Sequence, residues 1–297
     1  LEGGGDDSSA TVSIVNGNGN ITELWSSNEV MIGRLYAYIT LILGMKPGQH
    51  EYKVMGLAPY GNEKYSREIV KIFEKINIVD GIQIKNLKNF KDLYFSMIDE
   101  LKYYRFDNIA FALQKYLEDM VIKWVSNCIK KFNINKIIVS GGVGQNIKLA
   151  KALADSFGFK NIWHPPIAGD GSLGVGAAWI KSNQERKKPI PLNNIYLGKS
   201  YEEKEIEKSL KNLKQDKFLI LKNVMPKQIA HWLADGKICA RFSGRMEFGQ
   251  RALGNRSIIA DPRNYHNIEK INDKIKYRDF WMPFTPTILD IDAPKIL

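Results

Sequence analysis

KIIVSGGVGQNIKLAKALADSFGFKNIWHPPIAGDGSLGVGAAW, residues 136–179, holds two consecutive strand–glycine turn–helix units. The β-rich run Ile137-Ile138-Val139 ends in Ser140-Gly141-Gly142, and an amphipathic helix is expected from about Asn146. A second short strand is expected at Asn161 to Trp163. Gly169-Asp170-Gly171 then opens another helix, which carries the small residues Gly174, Gly176, Ala177 and Ala178. A helix N-terminus presents backbone N–H groups without intrahelical partners, and phosphate binds there readily. Glycine suits such turns because a ligand approaches the backbone closely and φ can be positive. One turn of this kind is more often a plain α/β connection. Two within about thirty residues, with Asp170 inside the second, point to a nucleotide site.

The 297 residues are enough for two domains and a sizeable core. Lysine and arginine number 43 against 32 acidic residues, a net charge of +11 that suits polyanionic ligands without choosing among them. Cys128 and Cys239 have no CxxC spacing and are expected to be reduced core residues of a cytoplasmic protein. No apolar run approaches the roughly 18 residues of a membrane span. Leu1 stands where an initiator methionine would, so the chain is expected to begin inside a longer protein.

Upstream, Glu2-Gly3-Gly4-Gly5-Asp6-Asp7 is a glycine/acid turn ahead of the alternating run Ala10 to Val15. Asn16 to Asn20 is a hairpin turn signal, and Ile21 to Trp25 is the expected returning strand. Ser26 and Glu29 have capping-box spacing before an apolar helix that ends near Gly44. This order of turn, hairpin, helix and two strand–helix units is that of one half of an actin-like, ribonuclease H-like fold. There the first turn approaches phosphates and the later Gly-Gly turn meets the nucleoside. Residues 47–61, dense in Gly, Pro and aromatics, are expected to form a loop, either functional or a capped connector. Residues 62–105 are expected to be a polar helical insert. Asp107 is the expected cap of a long helix, Ile109 to Phe132, with a core-facing stripe of Ala110, Leu113, Tyr116, Leu117, Met120 and Val121.

Downstream, residues 183–200 shift to Lys, Pro and Asn and mark a linker. A charged surface helix from Glu202 to Leu213, a strand at Phe218 to Leu221, a helix from Pro226 to Ala234 and a strand at Ile238 to Phe242 follow. The segment from Ser243 to Ile258 then interleaves arginines with glycines, and Arg241 to Arg278 contains nine basic and four acidic residues. Arginine's planar fork grips carboxylate and phosphate oxygens in two places at once, and neighbouring glycines let a small anion come close. Arg251, Arg256 and the Ser257 hydroxyl are candidates to hold such an anion, with Lys276 and Arg278 closing the pocket. A solvated basic surface is the bland alternative. An RNA reader would interleave more aromatics than Phe248, Tyr265 and Tyr277 supply, so tRNA is not the expected partner.

EYKVMGLAPYG (51–61), SGGVGQN (140–146), HPPIAGDGSLGVGAAW (164–179), GRMEFGQRALGNRSIIADPR (244–263) and KYRDFWMPFTP (276–286) together resemble the NodU/TobZ-like carbamoyltransferases. The five matches occur in family order over most of the chain. The resemblance implies an α/β protein: an actin-like (Kae1-like) domain over residues 1–185, without its N-terminal part, and part of a YrdC-like domain over 186–297. It also implies transfer of a carbamoyl group from carbamoyl phosphate to a hydroxyl of a sugar or natural-product acceptor. ATP is consumed through a carbamoyl-adenylate.

By the same resemblance, Arg251, Arg256, Ser257, Lys276 and Arg278 bind carbamoyl phosphate and the ATP phosphates. Gly141, Gly142 and Asn146, with Gly169, hold the nucleotide; Gly3, Gly4, Gly5 and Asp6 form the phosphate-side turn; and Glu51 and Lys53 lie near it. Asp170 matches a ligand of a divalent metal such as Fe2+. Glu2 replaces the usual Asp of the first turn, Met282 the usual Arg and Thr285 the usual Ala of the fifth segment. The family's HxxxH metal motif would lie upstream of Leu1, and its closing YrdC-like segments beyond Leu297, so the fragment alone is expected to bind nucleotide and transfer little carbamoyl group. The neighbouring readings are a relative that makes threonylcarbamoyl-tRNA, a nucleotide-binding module without catalysis, and a sugar kinase.

Overall fold

A computed structural model describes residues 1–87, 92–185, 187–188, 190–211, 213 and 217–296. Positions 88–91 of the expected insert, 186 and 189 of the linker, and 212 of the charged helix lie outside the described residues.

Strand β1 (Ala10–Val15) pairs antiparallel with β2 (Ile21–Ser27), with Ala10 opposite Ser27 and Val15 opposite Ile21. The Asn16 side chain accepts the N–H groups of Asn18 and Asn20, and Gly19 takes a φ of 79°, so the anticipated hairpin forms by local turn chemistry. The expected capping box does not form. β2 runs on through Ser27 to pair with Ala10, Ser26 donates to Glu23 instead, and helix α1 starts only at Ile32, extending to Ile42. Residues 47–61 are not a loop throughout: α2 spans Glu51–Leu57, followed by a 3-10 turn at Ala58–Tyr60. Pro47 precedes that helix and Pro59 sits in the turn after it, so no proline falls inside 51–57.

Helix α3 (Glu63–Glu74) is capped by the Asn62 side chain, which accepts the Lys64 N–H. An unanticipated hairpin, β3 (Asn77–Asp80) with β4 (Gln83–Asn86), interrupts the helical insert before α4 (Leu93–Leu101). Helix α5 (Phe106–Phe132) carries the core. Its predicted stripe is buried against Leu35 and Ile39 of α1, Ile69 and Phe73 of α3, and Leu149 and Leu153. Asp107 lies inside the first turn rather than capping it, and pairs with Arg105 at 2.7 Å.

Strand β5 (Ile137–Ile138) runs parallel to β6 (Ile162–Trp163), and α6 (Ile147–Phe157) makes the crossover between them. Helix α7 (Leu173–Gln184) follows the second glycine turn. Beyond it come α8 (Glu203–Lys211), α9 (Pro226–Ala234), and β7 (Cys239–Phe242) antiparallel to β8 (Arg256–Ile259). Next are α10 (His266–Lys270) and a π-helical stretch, Ile271–Lys276. Phe218 to Leu221 is not a strand; these side chains are exposed, and among the described residues no neighbouring strand offers a ladder. The chain is α/β, and among the described residues each sheet has two strands. No helix there is long and apolar enough to cross a membrane.

Candidate functional site

Gly33 brings the first turn and α1 together. A Cβ there would lie 2.5 Å from the Gly3 Cα, so only glycine lets residue 3 cross the start of the helix. Arg34 Nε donates to the Gly3 carbonyl at 3.2 Å and holds that crossing. On its far side, the Glu2 carboxylate accepts the N–H of Gly142 and, at 3.3 Å, that of Gly3. The glycine turn after β5 is thereby tied to the glycine turn before β1. A cavity of about 390 Å³ opens beside this junction, lined by Gly3, Glu51, Tyr52, Gly142, Gln145, Asn146, Gln250 and Arg251.

Tyr36 also lines the cavity, and behind it lies a polar network. Tyr36 is 6% exposed and its hydroxyl donates to Gln114 Oε1 at 3.1 Å. Burial pushes the phenol pKa well above its ordinary value, against the opposing pull of Asn146. Gln114 Nε2 donates to Glu118 at 2.7 Å and to Asn146 Oδ1 at 3.1 Å. Asn146 is also the N-cap of α6, accepting the Leu149 N–H at 3.0 Å. One side chain therefore starts the crossover helix and faces the cavity.

The expected site residues separate into groups. Gly3, Glu51, Gly142, Asn146 and Arg251 meet on the cavity wall. Gly4, Gly5 and Asp6 are exposed beyond the crossing, and Gly141, with a φ of 96°, packs under Leu1. Gly169 is buried against Gln145, while Asp170 is exposed at the start of its 3-10 turn. Lys53 pairs with Asp279 at 2.9 Å. Lys276 is exposed. Arg278 donates to Asn272 Oδ1 at 2.7 Å and stacks on Phe284; burial lowers its pKa.

Arg256 is held by its own loop. Its guanidinium donates to the carbonyls of Ser243, Asn255, Gly244 and Lys199 and lies 3.7 Å from the centre of the Phe242 ring. The Ser257 hydroxyl accepts the Gly254 N–H at 2.9 Å. Glu247, absent from the sequence reading, fills the turn that Arg256 closes. It is 6% exposed and accepts the N–H groups of Leu253 (2.8 Å), Asn255 (2.7 Å) and Arg256 (3.3 Å). Burial disfavours its charge, but it lies under a thin loop rather than deep in a core. The hydrogen bonds prevail and hold its pKa at about 2.

No three His, Cys, Asp or Glu side chains converge among the described residues. Asp170 with its present neighbours does not make up a metal site, since a stable one needs several ligands.

The family model described as Carbamoyltransferase N-terminus matches residues 1–179, and the one described as Carbamoyltransferase C-terminus matches residues 230–297. The chain belongs to the carbamoyltransferase family. Nodulation protein NolO of Bradyrhizobium diazoefficiens is 32% identical over 304 residues, 99% of this chain and 55% of that one. Nodulation protein U of the same organism is 27% identical over 89% of this chain and 44% of its own length. An uncharacterised protein of Methanocaldococcus jannaschii is 35% identical over 97% and 57%. The chain spans about half the length of the curated relatives it matches. In this carbamoyltransferase chain the two matched segments meet at the cavity: Gln250 and Arg251 come from the second, and the rest of the wall from the first. Gln250 Nε2 donates to Gln145 Oε1 across that boundary. Tyr36 and Gln114 were missed because Tyr and Gln in apolar helices carry no motif; Gln145 lay inside the quoted segment 140–146 without being singled out, and its role comes from what it reaches.

Proposed function

We propose that the parent protein transfers a carbamoyl group from carbamoyl phosphate to a hydroxyl of a small-molecule acceptor, through an ATP-derived carbamoyl-adenylate. We further propose that the cavity is where this chain receives the nucleotide. The observation that carries this reading is the meeting of Gly3, Gly142, Asn146 and Arg251 on one wall. Glu2 and Glu51 line the cavity, and ionised carboxylates only accept hydrogen bonds, so they match ribose hydroxyls. Arg251 lines it too, and its guanidinium matches phosphate oxygens. Charge that builds on a leaving phosphate is offset there electrostatically. The actin-like and YrdC-like assignments of residues 1–185 and 186–297 belong to the same proposal, and the matched segments support it.

ATP is matched by the residues present: Gly3, Gly142 and Asn146 line a cavity of about 390 Å³ that also carries the Arg251 guanidinium. A bound divalent metal would supply Lewis-acid polarisation of the carbamoyl carbonyl, with Asp170 as the one residue here assigned to it. The described residues do not complete that site. The acceptor hydroxyl attacks the carbamoyl carbon, the bond from that carbon to the AMP phosphate oxygen breaks, and AMP leaves as the hydroxyl proton is lost to solvent. The test is mass spectrometry of the full-length protein incubated with ATP and carbamoyl phosphate. Carbamoyl-AMP is expected; its absence with both substrates bound overturns the transfer reading.

A further inference from the structure

After the π-helical stretch the chain reverses at Tyr277, whose φ of 47° is left-handed without being glycine. Asn272, 1% exposed, holds the reversal: its carbonyl accepts the Arg278 N–H at 3.0 Å and its side chain accepts Arg278 Nε at 2.7 Å. The residues that follow lie directly on α2. Asp279 Oδ2 is buried and has no aligned hydrogen-bond donor, so the Lys53 ammonium at 2.9 Å is the charge that offsets it. Trp281 Nε1 donates to the Lys53 carbonyl at 3.2 Å. Gly56 completes the fit, because a Cβ there would lie 3.3 Å from Pro283 Cδ and 3.8 Å from Met282 Sδ. Met282 is 7% exposed under this contact.

The same short helix places Glu51, Tyr52 and Met55 on the cavity wall. Nothing within seven residues of helix is rigid alone, since isolated helices that short are marginal in water. Its position is set by what packs on it. We propose that Asp279 and Trp281 are positioning residues for the cavity: they fix α2 so that Glu51 and Tyr52 keep their places on its wall. This inference rests on the proposed function in taking the cavity as the ligand site. It adds that the second matched segment shapes the nucleotide end of the first, and that Lys53 serves as an anchor for this contact.

The test compares the full-length protein with Asp279→Asn, which removes the charge and keeps the shape, and Trp281→Phe, which removes the N–H and keeps a ring. Hydrogen exchange is followed by mass spectrometry, and ATP affinity by equilibrium binding. Amides of 51–57 are expected to exchange about tenfold faster in each variant, with those of 106–132 unchanged. ATP affinity is expected to fall about five- to tenfold without loss of the folded state. Unchanged exchange at 51–57 overturns the proposal, as does equal acceleration at 106–132, which would mark a general loss of stability. Failure of the unmodified protein to bind ATP would overturn the nucleotide reading, and the exchange result would still decide this one.

Discussion

Gln114 and Asn146 exchange a reciprocal pair of amide hydrogen bonds: Asn146 Nδ2 donates to Gln114 Oε1 at 2.8 Å, and Gln114 Nε2 returns one to Asn146 Oδ1 at 3.1 Å. The pair joins the core helix α5 to the N-cap of α6. Asn146→Ala removes the cap and two hydrogen bonds of Gln114, which is 2% exposed and keeps those with Tyr36 and Glu118. The expected cost is ~1–3 kcal/mol of unfolding free energy by urea titration. ATP affinity should fall in the same variant.

Two arginines of one segment should behave differently. Arg251 is exposed on the cavity wall, whereas Arg256 is engaged by four backbone carbonyls and the Phe242 ring. Arg251→Ala is expected to leave the melting temperature nearly unchanged and to weaken ATP or carbamoyl phosphate binding about tenfold or more. Arg256→Ala is expected to lower stability by ~1–3 kcal/mol, because those carbonyls lose a charged donor. Thermal melts and binding isotherms on the pair check the contrast; a binding defect in Arg256→Ala alone would reverse the assignment.

Glu247 makes part of the stability pH-dependent. Its folded pKa, about 2, lies below the ordinary 4.5, so its contribution is fully present above about 4.5 and is lost as the pH falls through about 2. Glu247→Gln is expected to cost ~1–3 kcal/mol at neutral pH, from the weaker bonds to Leu253, Asn255 and Arg256. The gap between the two proteins should narrow over that pH window. Denaturant titrations at several pH values measure it, and a gap that stays constant would contradict the hydrogen-bond account.

Gly33→Ala tests the crossing that shapes the cavity mouth. A methyl group would meet the Gly3 backbone, not a movable side chain, so residue 3 must shift. The expected loss is ~1–3 kcal/mol with weakened nucleotide binding. A thermal melt and an ATP titration on the variant are the measurements.

Local signals were legible wherever the chemistry is local. Asn16 makes its hairpin from its own side chain, and Asn146 starts its helix through a bond three residues away. The α5 stripe followed from helical spacing, because one face must leave water. The capping box at Ser26 failed for a non-local reason: pairing of Ser26 with Thr11 and of Ser27 with Ala10 kept that backbone extended. Phe218 to Leu221 had strand composition but, among the described residues, no neighbour to pair with, and a strand exists only as part of a ladder.

By itself the sequence determined the first hairpin, the long core helix, the two glycine turns and the family segments that share the site. Tertiary structure decided which groups face the cavity. Arg251 and Arg256 are alike in residue type and in glycine-rich surroundings; a guanidinium goes where unsatisfied oxygens are. Lys199, whose carbonyl helps hold Arg256, lies 57 residues away and is brought there only by chain folding. Lys53 likewise turns to Asp279, because a half-buried carboxylate attracts the nearest cation once the chain has placed it there.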